Sequence, residues 1–203
     1  MKAPRLLIAA ALLPLALTAC SNTEEAAPEP MESVTPIENS TPQEEPDDGT
    51  NERGNIEATV GEEISVTGYD SDEEVYKLKV TGIEPAFQCT EPYAQPAENG
   101  NFVKVDLEAQ TSSKEALDNS YYSSGVHISS GSFKYIDNNG TTFGGYLSTG
   151  SSFSCNPSSE NFPDSLGPAQ KSAGSVILDV PNLDGVIVYE DQLANVSVEY
   201  AIQ

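Results

Sequence analysis

The chain has 203 residues, with 32 acidic side chains against 9 Lys plus Arg and a single His, for a formal net charge of -23. Phosphate contacts need Lys and Arg, so this composition excludes a nucleic-acid binder built on a basic stripe. It also disfavours attraction of a folded part to an anionic membrane surface. The length suits one domain of ordinary size.

At the N-terminus, Lys2 and Arg5 precede an apolar run from Leu6 to Ala16. A membrane-spanning helix needs about 20 such residues, whereas the h-region of a secretory signal needs about 7–15. Pro14 within the run would kink a permanent span. The run ends in Leu17-Thr18-Ala19-Cys20, which resembles the bacterial lipobox, whose Cys receives a diacylglycerol thioether before the signal is cut in front of it. Residues 1–19 are therefore expected to be a lipoprotein signal peptide. Cys20 is expected to carry the lipid and to hold the chain at the extracytoplasmic face of the cell membrane. Two acyl chains, at about 0.8 kcal/mol per buried methylene, suffice for stable anchoring.

Residues 20–55 are expected to form a tether behind the lipidated Cys. Acidic residues recur from Glu24 to Glu52, Arg53 is the one base, and Pro28, Pro30, Pro36, Pro42 and Pro46 interrupt any helix. Without apolar surface to bury, such a stretch is expected to be disordered, and its like charges extend it to a reach of about 33 Å.

From Ile56 to residue 203 the periodicity is two. Ile64 and Val66 alternate with Ser65 and Thr67. Tyr76, Leu78 and Val80 share a face opposite Lys77 and Lys79. Val103, Val105, Leu107 and Ala109 share another. Further strands are expected at 132–136, 176–181 and 194–200, with a short one at 186–189. Asp137-Asn138-Asn139-Gly140 reads as a hairpin turn leading to Thr141-Thr142-Phe143, with Asn139 and Gly140 supplying positive φ. Ser113 to Leu117 suits one helical turn. Seven to eight closely spaced strands imply an all-β, Ig-like antiparallel β-sandwich, with an open barrel as the structural alternative.

Once Cys20 is lipidated, Cys89 and Cys155 remain. Outside the membrane they are expected to pair, closing a loop of 66 residues, for which chain entropy gives about 4 kcal/mol. The alternative is a thiolate site, which would need His127 as its base.

Little else points to chemistry. One His excludes HExxH and multi-His metal sites. No Ser-x-x-Lys or Gly-x-Ser-x-Gly occurs. Catalytic residues and cofactors are not expected, and the chain is read as a non-enzyme. The acidic turn of Asp70, Asp72, Glu73 and Glu74 is the candidate for a hard cation such as calcium, set against a simple solvated turn. Ser120-Tyr121-Tyr122-Ser123-Ser124-Gly125, with Tyr93 and Tyr146, offers the Tyr and Ser of an adaptable recognition surface.

Several segments carry a resemblance. They are Val60-Gly61-Glu62, Val80-Thr81-Gly82-Ile83-Glu84, Asn101 to Leu107, Phe133 to Asp137 with Gly140-Thr141, and Leu166-Gly167-Pro168 through Gly174 to Pro181. Together they resemble a domain-of-unknown-function family of Ig-like extracellular lipoproteins of Gram-positive bacteria. That family is in turn similar to a secreted mycobacterial immunogenic protein with a β-sandwich. This chain departs from the pattern in the reversed order Gly167-Pro168 and in a longer Ser-rich insertion around Cys155. The resemblance implies a fold and an address, and no catalytic residues. The expected function is a membrane-anchored module that binds an envelope protein, peptide or glycan. The alternatives are a structural or antigenic surface protein without a small ligand and, third, an enzyme with a shallow loop site.

Overall fold

A computed structural model describes residues 49–202. The signal peptide, Cys20 and the tether up to residue 48 lie outside the described residues. Eight strands run in chain order: β1 (Ile56–Glu57), β2 (Glu63–Thr67), β3 (Glu74–Pro85), β4 (Asn101–Thr111), β5 (Phe133–Asp137), β6 (Lys171–Val180), β7 (Gly185–Asp191) and β8 (Val196–Ala201). They form two four-stranded sheets, ordered β2-β3-β4-β6 and β1-β8-β7-β5. Every strand pair is antiparallel except β1 with β8, which is parallel. The chain is an all-β sandwich, as expected. Among the described residues no helix is long and apolar enough to cross a membrane.

Alternation decides which faces meet. Tyr76, Leu78 and Val80 of β3, Val103, Val105 and Leu107 of β4, and Val176 and Leu178 of β6 point into one core. Tyr135 of β5, Ile187 and Tyr189 of β7, and Val198 and Tyr200 of β8 meet them from the second sheet. Lys77, Lys79, Lys104 and Glu108 occupy the other face, where water or an ion pair meets their charge. A second, smaller cluster of Phe87, Phe102, Cys155 and Ile177 covers part of that outer face.

Three expectations change. The short run at 186–189 is β7, a central strand between β8 and β5. β6 begins at Lys171 rather than near Val176, because β4 pairs with it through Gln110↔Lys171 although Lys171-Ser172-Ala173-Gly174 has no apolar alternation. The tether does not extend to 55, because residues 51–55 are held against β8. Buried Glu199 accepts hydrogen bonds from Asn55 Nδ2 (2.9 Å), Asn51 Nδ2 (3.2 Å) and Arg53 Nε (2.9 Å), and Arg53 also forms an ion pair with it. Burial pushes the Glu199 carboxyl up, but the Arg53, Asn55 and Asn51 donors outweigh it and hold it below its usual range. With a depressed folded value, this contribution is present above the unfolded carboxylate pKa and is lost as pH falls through the folded one.

The turn after β5 forms, but its second arm is not a strand. Gly140 N–H donates to Asp137 O (2.9 Å), Asp137 N–H donates to Thr141 O (3.0 Å), and Thr142 makes a single bridge to Ile136. The strand partner of β5 is β7. Gly140 has φ +81°, whereas Asn139 is not in the left-handed region. This corrects the expectation that both residues supply positive φ. It fits a type I turn followed by a left-handed Gly. Gly140→Val is expected to cost about 1 kcal/mol or more, because a β-branched residue is strained at that φ. Gly144→Val is the control, since a Cβ there meets nothing within 4 Å and its φ is not positive. Equal thermal midpoints for the two variants would refute the strain assigned to Gly140.

Candidate functional site

The structure sorts the sequence candidates by where their side chains go. In the acidic turn, Glu73 accepts from Ser120 Oγ (2.6 Å) and Glu74 from Ser65 Oγ (2.6 Å). Asp70 and Asp72 are exposed, so the four carboxylates do not converge. Among the described residues no group of three His, Cys, Asp or Glu side chains is placed to hold a metal ion. His127 is exposed, and its Nδ1 lies 3.0 Å from the main-chain oxygen of Asp164. It is not a base for Cys89 or Cys155, because these two form a disulfide.

Tyr121 and Tyr122, adjacent in the sequence, part company. Tyr121 is buried and Tyr122, at φ +55°, is exposed. The Tyr121 hydroxyl donates to Asp191 Oδ2 at 2.7 Å. Tyr76 donates to the same oxygen at 2.7 Å, so the 2.8 Å contact between the Tyr76 and Tyr189 hydroxyls is a bond donated by Tyr189. Asp191 Oδ1 takes the N–H groups of Leu193 (2.9 Å) and Ala194 (3.1 Å). Burial first, and the nearby Asp191 charge after it, push the Tyr121 and Tyr189 hydroxyls well above their usual range, so they stay protonated as donors. This network closes the end of the core where β3 and β8 begin. It supplies rigidity and offers no open position for a substrate.

The opposite end is different. The loop 86–100 and the segment 146–157 are cross-braced by Cys89–Cys155, and Thr90 N–H donates to Cys155 O at 2.9 Å. A second brace is the carboxylate of Asp179, which is 0% exposed. It accepts from Glu98 N (2.7 Å), Asn99 N (3.0 Å) and Thr149 Oγ1 (2.8 Å). Asn99 Nδ2 donates to Asp179 O (2.7 Å) and Tyr146 O (2.9 Å), and Glu98 Oε1 takes Ser151 N (3.1 Å) and Ser151 Oγ (3.2 Å). Three donors stand in for a counter-cation, which is what allows a buried carboxylate there. A short helix, Gly150–Phe153, is set by a capping box in which Thr149 Oγ1 takes Ser152 N–H.

These braces hold three aromatic rings out in solvent. Tyr93 is 88% exposed, Tyr146 83% and Phe153 68%. The loop 86–100 also borders an open groove of about 400 Å³ lined by Phe87, Glu91, Ala94, Pro96 and Phe102, among others. Tyr93 and Tyr146 were singled out from the sequence, and Phe153 was not. The Ser-rich run around Phe153 carries no periodic signal. Asp179 did carry one, as a charge inside the apolar run Val176-Ile177-Leu178-Asp179-Val180. A charge at such a place marks a buried, fully paired carboxylate.

No protein-family model matches the chain, and none of the curated proteins matches at a significant level. Among solved structures, the chain is similar to MPT63, a secreted protein of Mycobacterium tuberculosis. The identity is 13%, over 72% of this chain and 97% of that one, with a TM-score of 0.46. A likeness this distant does not show membership of one domain family.

Proposed function

We propose that this protein is an extracytoplasmic lipoprotein whose β-sandwich is a binding module for an envelope partner, engaged through the double-braced loop lobe. The observation that carries this reading is the rigid display of Tyr93, Tyr146 and Phe153. Exposed large rings cost solubility, and rigid aromatic anchors are what interfaces use. The Cys89–Cys155 disulfide supports an oxidising compartment. The signal and lipobox of residues 1–20 support the anchor.

Two measurements test the two halves. Cys20→Ser is expected to move the protein from the membrane fraction to the soluble fraction and to abolish incorporation of labelled palmitate, because the acyl chains supply the membrane affinity. Palmitate still entering the variant would sink the anchor. For the lobe, envelope material retained on the wild-type chain is compared with that retained on Tyr93→Ser/Tyr146→Ser/Phe153→Ser. All three positions are exposed, so the fold is expected to persist. A partner kept equally by both chains would place binding elsewhere.

A further inference from the structure

We infer that a one-residue gap in the outer edge of β6, at Ile177, is a binding site for the free amino end of a peptide. β6 is an edge strand, with β4 on one side in unbroken register from Asn101↔Val180 to Gln110↔Lys171. On its other side the chain covers it at two points. Ser175 N–H donates to Glu160 O and Ser175 O accepts from Phe162 N–H, both at 2.9 Å. Two strand steps on, Asp179 N–H donates to Leu147 O at 2.9 Å, and Asp179 O takes Asn99 Nδ2 at 2.7 Å. In an antiparallel ladder, residues two apart turn their main-chain groups to the same side. Ile177, midway between Ser175 and Asp179, therefore turns its N–H and C=O to that edge, and no described segment covers it there.

A cavity of about 70 Å³ opens at this point, lined by Ile128, Ser130, Phe153, Phe162, Asp164 and Ser175 to Ile177 among others. Ser130 is 6% exposed as a residue; its hydroxyl has no protein partner among the described residues and reaches solvent. Without a protein partner the Ile177 N–H and C=O are left to water, so the gap favours an occupant with one donor and one acceptor at β spacing. The space exceeds that of a single water.

Size and charge narrow the occupant. The covering segments at Leu147 and at 160–162 close the edge on both sides, so a through-running strand does not fit, whereas a chain end with one residue in the gap does. Asp164 is the one charged residue lining the cavity, and no Lys, Arg or His joins it. A positive amino end fits this lining better than a carboxylate end. The acidic segment 21–48 of the chain itself carries the wrong sign. In the bound state Ile177 N–H donates to the carbonyl of the first ligand residue, and Ile177 O accepts from its ammonium. Asp164 faces the positive charge, and a small apolar side chain rests on Ile128 and Phe162. The site shares Phe153 with the aromatic lobe, but its main-chain pairing at Ile177 does not depend on a macromolecular partner there.

The test uses the full lipidated chain, ¹⁵N-labelled in detergent, with two probes: Val-Ala amide with a free amine, and the same dipeptide acetylated. Without ligand, the Ile177 amide is expected to exchange with solvent faster than those of Val176 and Leu178. The free-amine probe is expected to shift the Ile177 and Ser130 amides saturably, and the acetylated probe to leave them in place. Asp164→Asn, at an exposed position, is expected to weaken the free-amine probe about two- to fivefold, as loss of an exposed charge pair does. The inference is overturned if Ile177 exchanges as slowly as its neighbours, if the free-amine probe leaves its amide unmoved, or if the acetylated probe binds equally well.

Discussion

Asp191→Ala is expected to lower the unfolding free energy by about 3–5 kcal/mol, because it takes a charged acceptor from four donors at once. The carboxylate holds four donors: the hydroxyls of Tyr76 and Tyr121 and the N–H groups of Leu193 and Ala194. Alanine leaves all four without their acceptor, and buried unsatisfied donors cost about 1–3 kcal/mol each before relaxation. Tyr121→Phe removes a single donor and leaves the carboxylate with three, so a smaller loss of about 1.5–3 kcal/mol is expected, as for one hydrogen bond to a charged group. Urea titration reads both, with a lower midpoint and an unchanged slope marking a true loss of stability. Equal losses for the two variants would show that Asp191 does not act as the hub of the cluster.

Cys89→Ala/Cys155→Ala is the second large effect, expected at about 2–4 kcal/mol. The bond closes 66 residues, so most of its effect comes from restricting the unfolded chain. Part comes from the outer-face cluster, where Cys155 is fully buried beside Phe87, Phe102 and Ile177. Reduction of the wild type is expected to give the same loss. In the single variant Cys89→Ala, the buried Cys155 thiol is expected to react with a thiol reagent only on unfolding. Two free thiols in the wild-type protein taken from its native compartment would overturn the pairing.

The features legible in the linear chain are those that depend on near neighbours or on elimination. The inward faces of β3 and β4 follow from Tyr76, Leu78 and Val80 and from Val103, Val105 and Leu107, because a strand sends alternate side chains to opposite sides whatever it packs against. The turn at Asp137 to Gly140 is local for the same reason, although Asn139 does not take the φ that its dipeptide suggested. The Cys89–Cys155 pairing follows once Cys20 is assigned to lipid, since two thiols are then left. Tertiary structure decides the rest. β7 is central because both β8 and β5 flank it, and its short apolar run carries no mark of that. Residues 51–55 are polar like the tether before them, and they fold only because Glu199, some 146 residues away, gathers their side chains. A carboxylate is tolerable inside a protein only where donors are brought to it, and Asp179 and Asp191 draw theirs from β-strand ends and loops up to 115 residues distant. The gap at Ile177 exists because two distant segments happen to land on either side of it. Sequence distance hides such meetings, since the loop-closure entropy opposing them grows only slowly with chain length and is offset by packing that is settled in three dimensions.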